Sequence, residues 1–485
     1  MQAQIFSSAA VAAPQGTAPV APPHSHGPVS PALLQRMDQG GPRYTSYPTA
    51  DRFVEAFGAA DYAGALRQRR IIGAQGATPL SLYVHIPFCE SLCYYCACNK
   101  IVTRHHERAD RYLDYLAKEI ELQVAELGRN LPVSQLHLGG GSPTFMDDAQ
   151  LARLMGLLHG AFAFLPEAER SIEVDPRTVD AGRLQRLADL GFNRLSLGVQ
   201  DFDPDVQKAV HRIQPAAMVA ELLARSRELG FQSINLDLIH GLPRQTPASF
   251  DRTLEEVCRL RPDRIALYAY AHLPERFKAQ RRIRAADLPS PQERVRMLSR
   301  AIEVLGGAGY VYIGMDHFAL PEDPLAVAKR QGLLHRNFQG YSTQPDCDLV
   351  ALGVSAIGHV GPTYSQNAKV LDAYYDHLDQ GRLPIERGLA LSRDDLLRRS
   401  VIMAIMCQGK LDFEAIGHAH LVDFVDRFAP ELAALGPLVA QGLVKLRDHE
   451  LEVTETGWFF VRAIAMVFDR YLQADRNRAR YSQLA

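Results

Sequence analysis

The sequence carries almost no excess of charge: 53 lysines and arginines stand against 55 acidic residues, a formal net charge of -2. So close a balance gives a nucleic acid or an anionic membrane no long-range electrostatic handle, and partners must be sought at individual sites. Long apolar runs are missing as well. The longest uncharged stretch in the part expected to fold, Leu349 to Ala368, includes His359, Pro362 and Asn367 and is too polar to span a bilayer. No basic residue precedes Arg36, so the amino terminus lacks the charged start of a secretory signal and the arginines of a transit peptide. The expectation is a cytoplasmic chain. Cysteine is also sparse, and no second pair stands at the distance a zinc ribbon or finger uses to close its tetrahedron. Cys258, Cys347 and Cys407 stand singly in apolar or loop contexts that suit small buried hydrophobes.

The other four of the seven cysteines fall within ten residues, Cys89-Glu-Ser-Leu-Cys93-Tyr-Tyr-Cys96-Ala-Cys98. They follow Tyr83-Val-His-Ile-Pro-Phe88, whose apolar alternation reads as a strand that delivers them at its carboxyl end. Thiolates three and four apart on a short loop can converge on one centre, and soft sulfur selects zinc, copper(I) or an iron–sulfur cluster.

The rest of the chain reads as follows. Residues 1 to about 30, rich in Ala, Pro, Ser and Gly, predict a disordered leader. Residues 31–79 predict a strap, Gly41 to Thr49, packed on the surface of the next domain, and a helix. From 80 to 370 short apolar runs alternate with helix-length segments. The runs are Ser81 to Ile86, Gln135 to Leu138, Ser171 to Asp175, Arg194 to Val199, Ser233 to Ile239 and Arg264 to Ala271; the helices include Ala109 to Leu127, Ala181 to Leu190, Ala216 to Leu229 and Thr246 to Leu260. Six such units predict an α/β fold, a parallel sheet with right-handed crossovers curled into a full or partial barrel. Residues 371–485 predict a mostly helical, winged-helix-like domain with two short strands and a final helix from about Thr456 to Leu472, serving as a lid or packing domain.

A barrel of this kind gathers its chemistry at the carboxyl ends of its strands. Polar or glycine-rich clusters do follow each predicted strand, among them Gly139-Gly-Gly-Ser-Pro-Thr144, Glu173-Val-Asp-Pro176, Gly198-Val-Gln200, Asp237-Leu-Ile-His-Gly-Leu-Pro243 and Tyr268-Ala-Tyr-Ala-His272. The glycines allow close backbone approach to a ligand. Glu173 and Asp237 can accept from hydroxyls or an ammonium, Gln200 can donate and accept, and Arg212 can grip a carboxylate.

The spacing C-x3-C-x2-C resembles the signature of radical S-adenosylmethionine (SAM) enzymes. Further motifs narrow the likeness: Tyr83-Val-His-Ile-Pro-Phe-Cys89, Gly139-Gly-Gly-Ser-Pro-Thr-Phe145, Leu195-Ser-Leu-Gly-Val-Gln-Asp-Phe202, Gly314-Met-Asp-His-Phe-Ala319, His335-Arg-Asn-Phe-Gln-Gly-Tyr341 and Pro42-Arg-Tyr-Thr-Ser-Tyr-Pro48 resemble the oxygen-independent coproporphyrinogen III oxidase family from about residue 41 onward. The resemblance implies a partial (β/α)6 radical SAM barrel in which Cys89, Cys93 and Cys96 hold a [4Fe–4S] cluster with one open iron, Cys98 being a neighbouring thiol. It implies two SAM molecules, the first touching Tyr83, Gly140, Glu173 and Ile357, the second Tyr95, Gly141, Ser142, Gln200, Arg212, Asp237 and Ala271. Tyr95 and Ser142 stand where phenylalanine and threonine are familiar, and His240 replaces a tyrosine.

The implied reaction is oxidative decarboxylation of two propionates of coproporphyrinogen III to vinyl groups in haem biosynthesis, fed by a flavodoxin- or ferredoxin-type electron donor and completed by an unknown acceptor. It needs no general base, in keeping with the lack of a hydrolytic triad. A tetracarboxylate substrate calls for cations, and Arg43 and Arg336, both set among aromatics, are the candidates. The expected state is a monomer without nucleic-acid partners. Two rivals remain: a radical-SAM-like haem chaperone, disfavoured by Cys98 and the strap, and a zinc-stabilised winged-helix regulator.

Overall fold

The computed structural model describes residues 29, 31–37, 40–73, 78–344 and 346–474. The expected leader lies outside the described residues except for Val29. Helix α1 (Ala59–Gly73) leads into the six anticipated strands: β1 (Leu80–Ile86), β2 (Leu131–Gly140), β3 (Phe162–Val174), β4 (Arg194–Gln200), β5 (Ser233–His240) and β6 (Arg264–Ala269). Each pairs in parallel with the next. Their apolar runs are nearly continuous because helices cover one face and the curled sheet encloses the other. β1 illustrates this: Leu80, Leu82, Val84 and Ile86 are completely buried, and Ser81 and His85 point the other way and are buried too.

The crossover helices carry their apolar residues at three- and four-residue steps. In α2 (Glu107–Leu127), Tyr112, Leu113, Leu116, Ile120, Val124 and Leu127 face the sheet. Capping fixes where helices begin. Asp147 accepts from Gln150 N ahead of α3 (Asp148–Ala161), and Thr246 accepts from Ser249 N ahead of the helix Pro247–Leu260.

The sheet does not stop at six strands. β7 (Val311–Gly314) and β8 (His317–Ala319) add antiparallel strands beyond β6. On the other side β9 (Leu349–Leu352) runs parallel to β1, and β10 (Ile357–Val360), β11 (Thr363–Asn367) and β12 (Ile385–Ala390) continue antiparallel. Among the described residues the twelve strands form one open sheet whose edges, β12 and β7, do not meet. The barrel is therefore partial. A boundary at residue 370 falls too early, because β12 hydrogen-bonds along β11 and ends only at Ala390. The carboxyl-terminal domain begins after it, with the Ser392-capped helix Arg393–Gln408.

That domain is helical with a small antiparallel sheet of Lys410–Asp412, Val444–Leu446 and Glu450–Val453, one strand more than expected. The expected single helix from Thr456 to Leu472 is instead three short ones, Glu455–Trp458, Val461–Met466 and Arg470–Ala474. Gly457 lies so close to the Leu443 carbonyl that a Cβ would sit 1.9 Å from it, and Asp469 turns its carboxylate onto the N–H groups of Tyr471 and Leu472, starting a new turn.

The strap is not a surface strap. Tyr44 and Tyr47 are completely buried between barrel and carboxyl-terminal domain. The Tyr44 hydroxyl donates to Asp469 at 2.9 Å, and Tyr364 donates to the Tyr47 carbonyl at 3.3 Å.

Candidate active site

At the carboxyl ends of β1 to β6 the structure opens a cavity of about 480 Å³. The cysteine loop forms one wall. It is held in place by main-chain bonds: Tyr94 N donates to Val210 O at 3.0 Å, and Ser142 N and Gly141 N donate to Phe88 O and Ile86 O at 2.8 and 2.7 Å. The glycine turn after β2 is thus laced to the start of the loop. Only glycine fits there, since a Cβ on Gly141 would stand 2.8 Å from the Phe88 carbonyl, and Gly140 has φ +117° against the His85 ring.

Cys89, Cys93 and Cys96 all line the cavity, and so does Cys98. Arg177 and Arg212 each aim a guanidinium N–H at the Cys93 sulfur, at 3.6 and 3.4 Å, and Asp175 pairs with both arginines at 2.7 and 3.2 Å. Burial opposes charge on Asp175, but the two arginines outweigh it and hold its carboxyl below the usual range. Among the described residues no group of three or more His, Cys, Asp or Glu side chains is gathered tightly enough to hold one metal ion. Three thiols spread along one loop, with guanidinium donors directed at the middle one, are a donor set that fits an iron–sulfur cluster.

The opposite wall carries the polar groups expected at the rim. Glu173 accepts from Gly140 N at 3.2 Å and lies 3.3 Å from His137 Nε2. Burial works to raise its pKa, but those contacts and His85 prevail, so the carboxyl is held below its usual value. Asp237 behaves oppositely. Burial and the nearby Glu173 push it up to about 7, against hydrogen bonds from Ser196 at 3.1 Å and Asn235 at 2.8 Å. Two carboxylates in one cavity thus divide: one keeps its charge at neutral pH and one titrates there. Gln200, with φ +71°, and Arg212, which donates to Gly198 O, complete this side. A smaller cavity of about 150 Å³ lies within the barrel, and Glu173, Ser196, Asp237 and Tyr268 border both.

Tyr95, Gly140, Gly141, Ser142, Glu173, Gln200, Arg212 and Asp237 therefore line one space with the three cysteines. Other expected residues stand off it. Tyr83 is one ring behind, stacked on His137 at 6.0 Å. Ala271 is joined to the loop through Gln280, whose amide donates to both Ala271 O and Tyr95 O, at 3.1 and 3.0 Å. Ile357 opens β10 and does not line the cavity. Arg43 forms an ion pair with Asp316 and lies 5.3 Å over the ring of Tyr268, one ring from the cavity. Arg336 is not brought to the site. It is buried against Tyr341 at 4.5 Å and donates to the Arg43 carbonyl, because its strand faces the carboxyl-terminal domain. His240 is fully buried and kept neutral, its pKa lowered to about 4 by burial and then by Arg294. Asp175, Arg177, Lys100, Ser196 and Tyr268 also border the cavity and were not singled out. The position of Asp175 and Arg177 directly past β3 was a usable signal.

Comparison with known proteins adds to this geometry. Residues 83–257 match the radical SAM superfamily, and residues 391–460 match the HemN C-terminal domain, which starts where the sheet ends. The oxygen-independent coproporphyrinogen III oxidase of Escherichia coli (strain K12) is 50% identical over 454 residues, 94% of this chain and 97% of that protein. The chain belongs to this oxidase family. The Pseudomonas aeruginosa protein of the same name is also 50% identical, over 93% of this chain and 98% of its own. The solved structure of the E. coli coproporphyrinogen III oxidase, described as a radical SAM enzyme, superposes with a TM-score of 0.85 over 89% of this chain and 98% of that one. Membership brings a [4Fe–4S] cluster and SAM as cofactors and makes the chain an oxidoreductase. Among the described residues no helix is long and apolar enough to cross a membrane.

Proposed function

We propose that this chain converts coproporphyrinogen III to protoporphyrinogen IX without oxygen, in the cytoplasm, by radical chemistry at the cavity. The observation that carries the reading is the joint lining of one space by Cys89, Cys93, Cys96, Glu173, Arg212 and Asp237. In each of two turnovers a propionate side chain loses CO2, one hydrogen atom and one electron and becomes a vinyl group. When bound, a cluster held by Cys89, Cys93 and Cys96 would, together with SAM, supply the radical chemistry that removes a hydrogen atom from the propionate β-carbon.

The chain's own residues do the placing. Arg177 and Arg212 hold the Cys93 sulfur between their guanidinium groups, and Cys98, beyond the three ligands, is a neighbouring thiol. Glu173, anionic at neutral pH, suits the ammonium of a first SAM, with Gly140 beside it in the cavity wall and Tyr83 and Ile357 assigned to the same molecule by the family resemblance. Gly141, Ser142, Tyr95, Gln200, Arg212, Asp237 and Ala271 surround the place of a second. For the tetracarboxylate substrate the candidate cation one ring from the cavity is Arg43, held over Tyr268 by Asp316. Two SAM molecules, a one-electron donor and an electron acceptor complete the proposal.

The test is anaerobic. Reconstituted protein, coproporphyrinogen III, SAM and a strong reductant should yield protoporphyrinogen and 5′-deoxyadenosine, and Cys89→Ser, Cys93→Ser or Cys96→Ser should abolish both along with the brown chromophore. Cys98→Ser should keep the chromophore. Tight haem binding without decarboxylation would overturn the reading in favour of a haem chaperone.

A further inference from the structure

The outer side of the cysteine loop carries a second feature that the chemistry inside the cavity does not use. Between residues 276 and 284 the sequence Arg276-Phe-Lys-Ala-Gln-Arg-Arg-Ile-Arg284 places five cationic side chains and no acidic one in nine residues. All five are exposed. Arg284 is paired with Asp287 at 2.8 Å, which leaves the segment strongly positive in a chain of net charge -2.

The segment is clamped to the cysteine loop. Gln280, 1% exposed, donates to the Tyr95 carbonyl and accepts from Leu273 N at 2.6 Å. Ile283 is buried in a small apolar cluster with Val206, Val210 and Leu242, against which Tyr94 and Tyr95 pack. Arg282 lies 5.1 Å over the ring of Tyr94, and Tyr94 stacks on His211 at 5.1 Å. Arg276, Lys278, Arg281 and Arg282 are like charges gathered on one held segment and repel one another, a cost that an acidic partner would relieve.

We propose that this basic face is the docking surface for an acidic one-electron carrier protein of the flavodoxin or ferredoxin type, which approaches the cluster from outside along Tyr94 and Arg282. The inference rests on the reading under Proposed function, since only a radical reaction needs the reductant. In the transfer one electron leaves the carrier, oxidised by one unit, and enters the iron–sulfur group held by the loop, reduced by one unit. No bond is made or broken. Charge complementarity of this kind raises association rates by 10- to 1,000-fold and fades with salt.

The test uses the reconstituted holoenzyme and an acidic flavodoxin. Affinity is measured by titration calorimetry at about 50 and about 200 mM salt, a span that cuts the Debye length roughly in half. The variant is Arg276→Glu with Lys278→Glu and Arg281→Glu, which leaves Arg282 on Tyr94 untouched. Expected are a loss of affinity of about tenfold or more at low salt and loss of the salt dependence, with the corresponding triple glutamine variant in between. 5′-Deoxyadenosine formation should fall with flavodoxin as reductant and stay unchanged with dithionite.

Unaltered flavodoxin binding with unaltered salt dependence overturns the proposal. So does a raised KM for coproporphyrinogen with dithionite, which would assign the face to the substrate's carboxylates. If the unmodified enzyme makes no 5′-deoxyadenosine with dithionite, the reaction assignment has failed, while the binding titration still decides the surface.

Discussion

Glu119 offers a sharp test of the electrostatics. It lies on the inner face of α2 with no exposed surface, and accepts from Gly353 N at 2.7 Å, Tyr374 Oη at 2.6 Å and Asn367 Nδ2 at 2.7 Å. One carboxylate thus ties the β9–β10 turn, the end of β11 and the helix Leu371–Asp379 to the barrel. Burial pushes its pKa from 4.5 up to about 7, with the three hydrogen bonds opposing. Between those values the folded chain holds a proton that the unfolded chain releases, so this group's contribution to stability falls as pH rises from about 4.5 to about 7. A shift of two to three units corresponds to roughly 3 kcal/mol, most of it expressed between pH 5 and 8. Glu119→Gln cannot ionise. It also cannot satisfy all three donors, which costs about 1–3 kcal/mol at any pH. The variant should therefore melt below the unmodified chain at pH 5 and at or above it at pH 8. With an unfolding entropy of about 0.9 kcal/mol/K for the described residues, the gap in Tm should move by about 3 °C in the variant's favour. Calorimetry at pH 5, 6.5 and 8 checks this; a gap that stays constant, or opens toward alkaline pH, refutes a carboxyl that is neutral when folded.

Asp237, with a pKa of about 7, should make SAM binding tighten from pH 6 to 8 by up to about tenfold, and Asp237→Asn should flatten that rise in a calorimetric titration. Gly388→Ala would place a Cβ 2.4 Å from the Tyr364 carbonyl and 2.3 Å from the Phe57 ring, where the neighbouring backbone also pairs with Val54. A loss of about 3 kcal/mol and faster proteolysis before residue 60 are expected. Arg398→Ala leaves Glu431, 2.9 Å away and equally buried, without its cation, at a cost of about 3–5 kcal/mol. Adding Glu431→Gln should recover most of that, as a double-mutant cycle of melting temperatures will show.

Much of the barrel was legible because parallel core strands bury both faces and so read as apolar runs. β1, β4 and β5 agree with their runs to within a residue or so at each end. β3 begins nine residues before its apolar core. Its early half, Phe162 to Glu169, runs along β2 with a break in register and is half solvated, and Pro166 with Glu167 and Glu169 interrupts the apolar run before Ser171. β11 shows the opposite difficulty. Thr363-Tyr-Ser-Gln-Asn367 is wholly buried, yet no hydrophobic pattern marks it. Its polar side chains are satisfied by partners far away in sequence, Asn367 by Glu119 and Gln366 by the Ser355 carbonyl and Arg387, and a local reading cannot supply them. The site was legible in its thiols and its strand-end acids. Arg336 shows why cations are hard to assign from sequence, since an arginine among aromatics looks alike whether it faces a ligand or packs on a ring, and the structure sets it against Tyr341.

The burial of the strap changes what the carboxyl-terminal domain is for. Arg43 reaches Tyr268 only because Tyr44 and Tyr47, one and four residues on, are locked between the two domains by Asp469, Arg470 and Tyr364. Arg462 donates to the Gly41 carbonyl from the same side, and Trp458 donates to Ile313 O across the interface at 2.7 Å. The domain that follows Ala390 thus acts on the cavity at one remove. It holds down the segment that carries the cation, and the cation lies over an aromatic ring that borders both the cysteine cavity and the space inside the barrel.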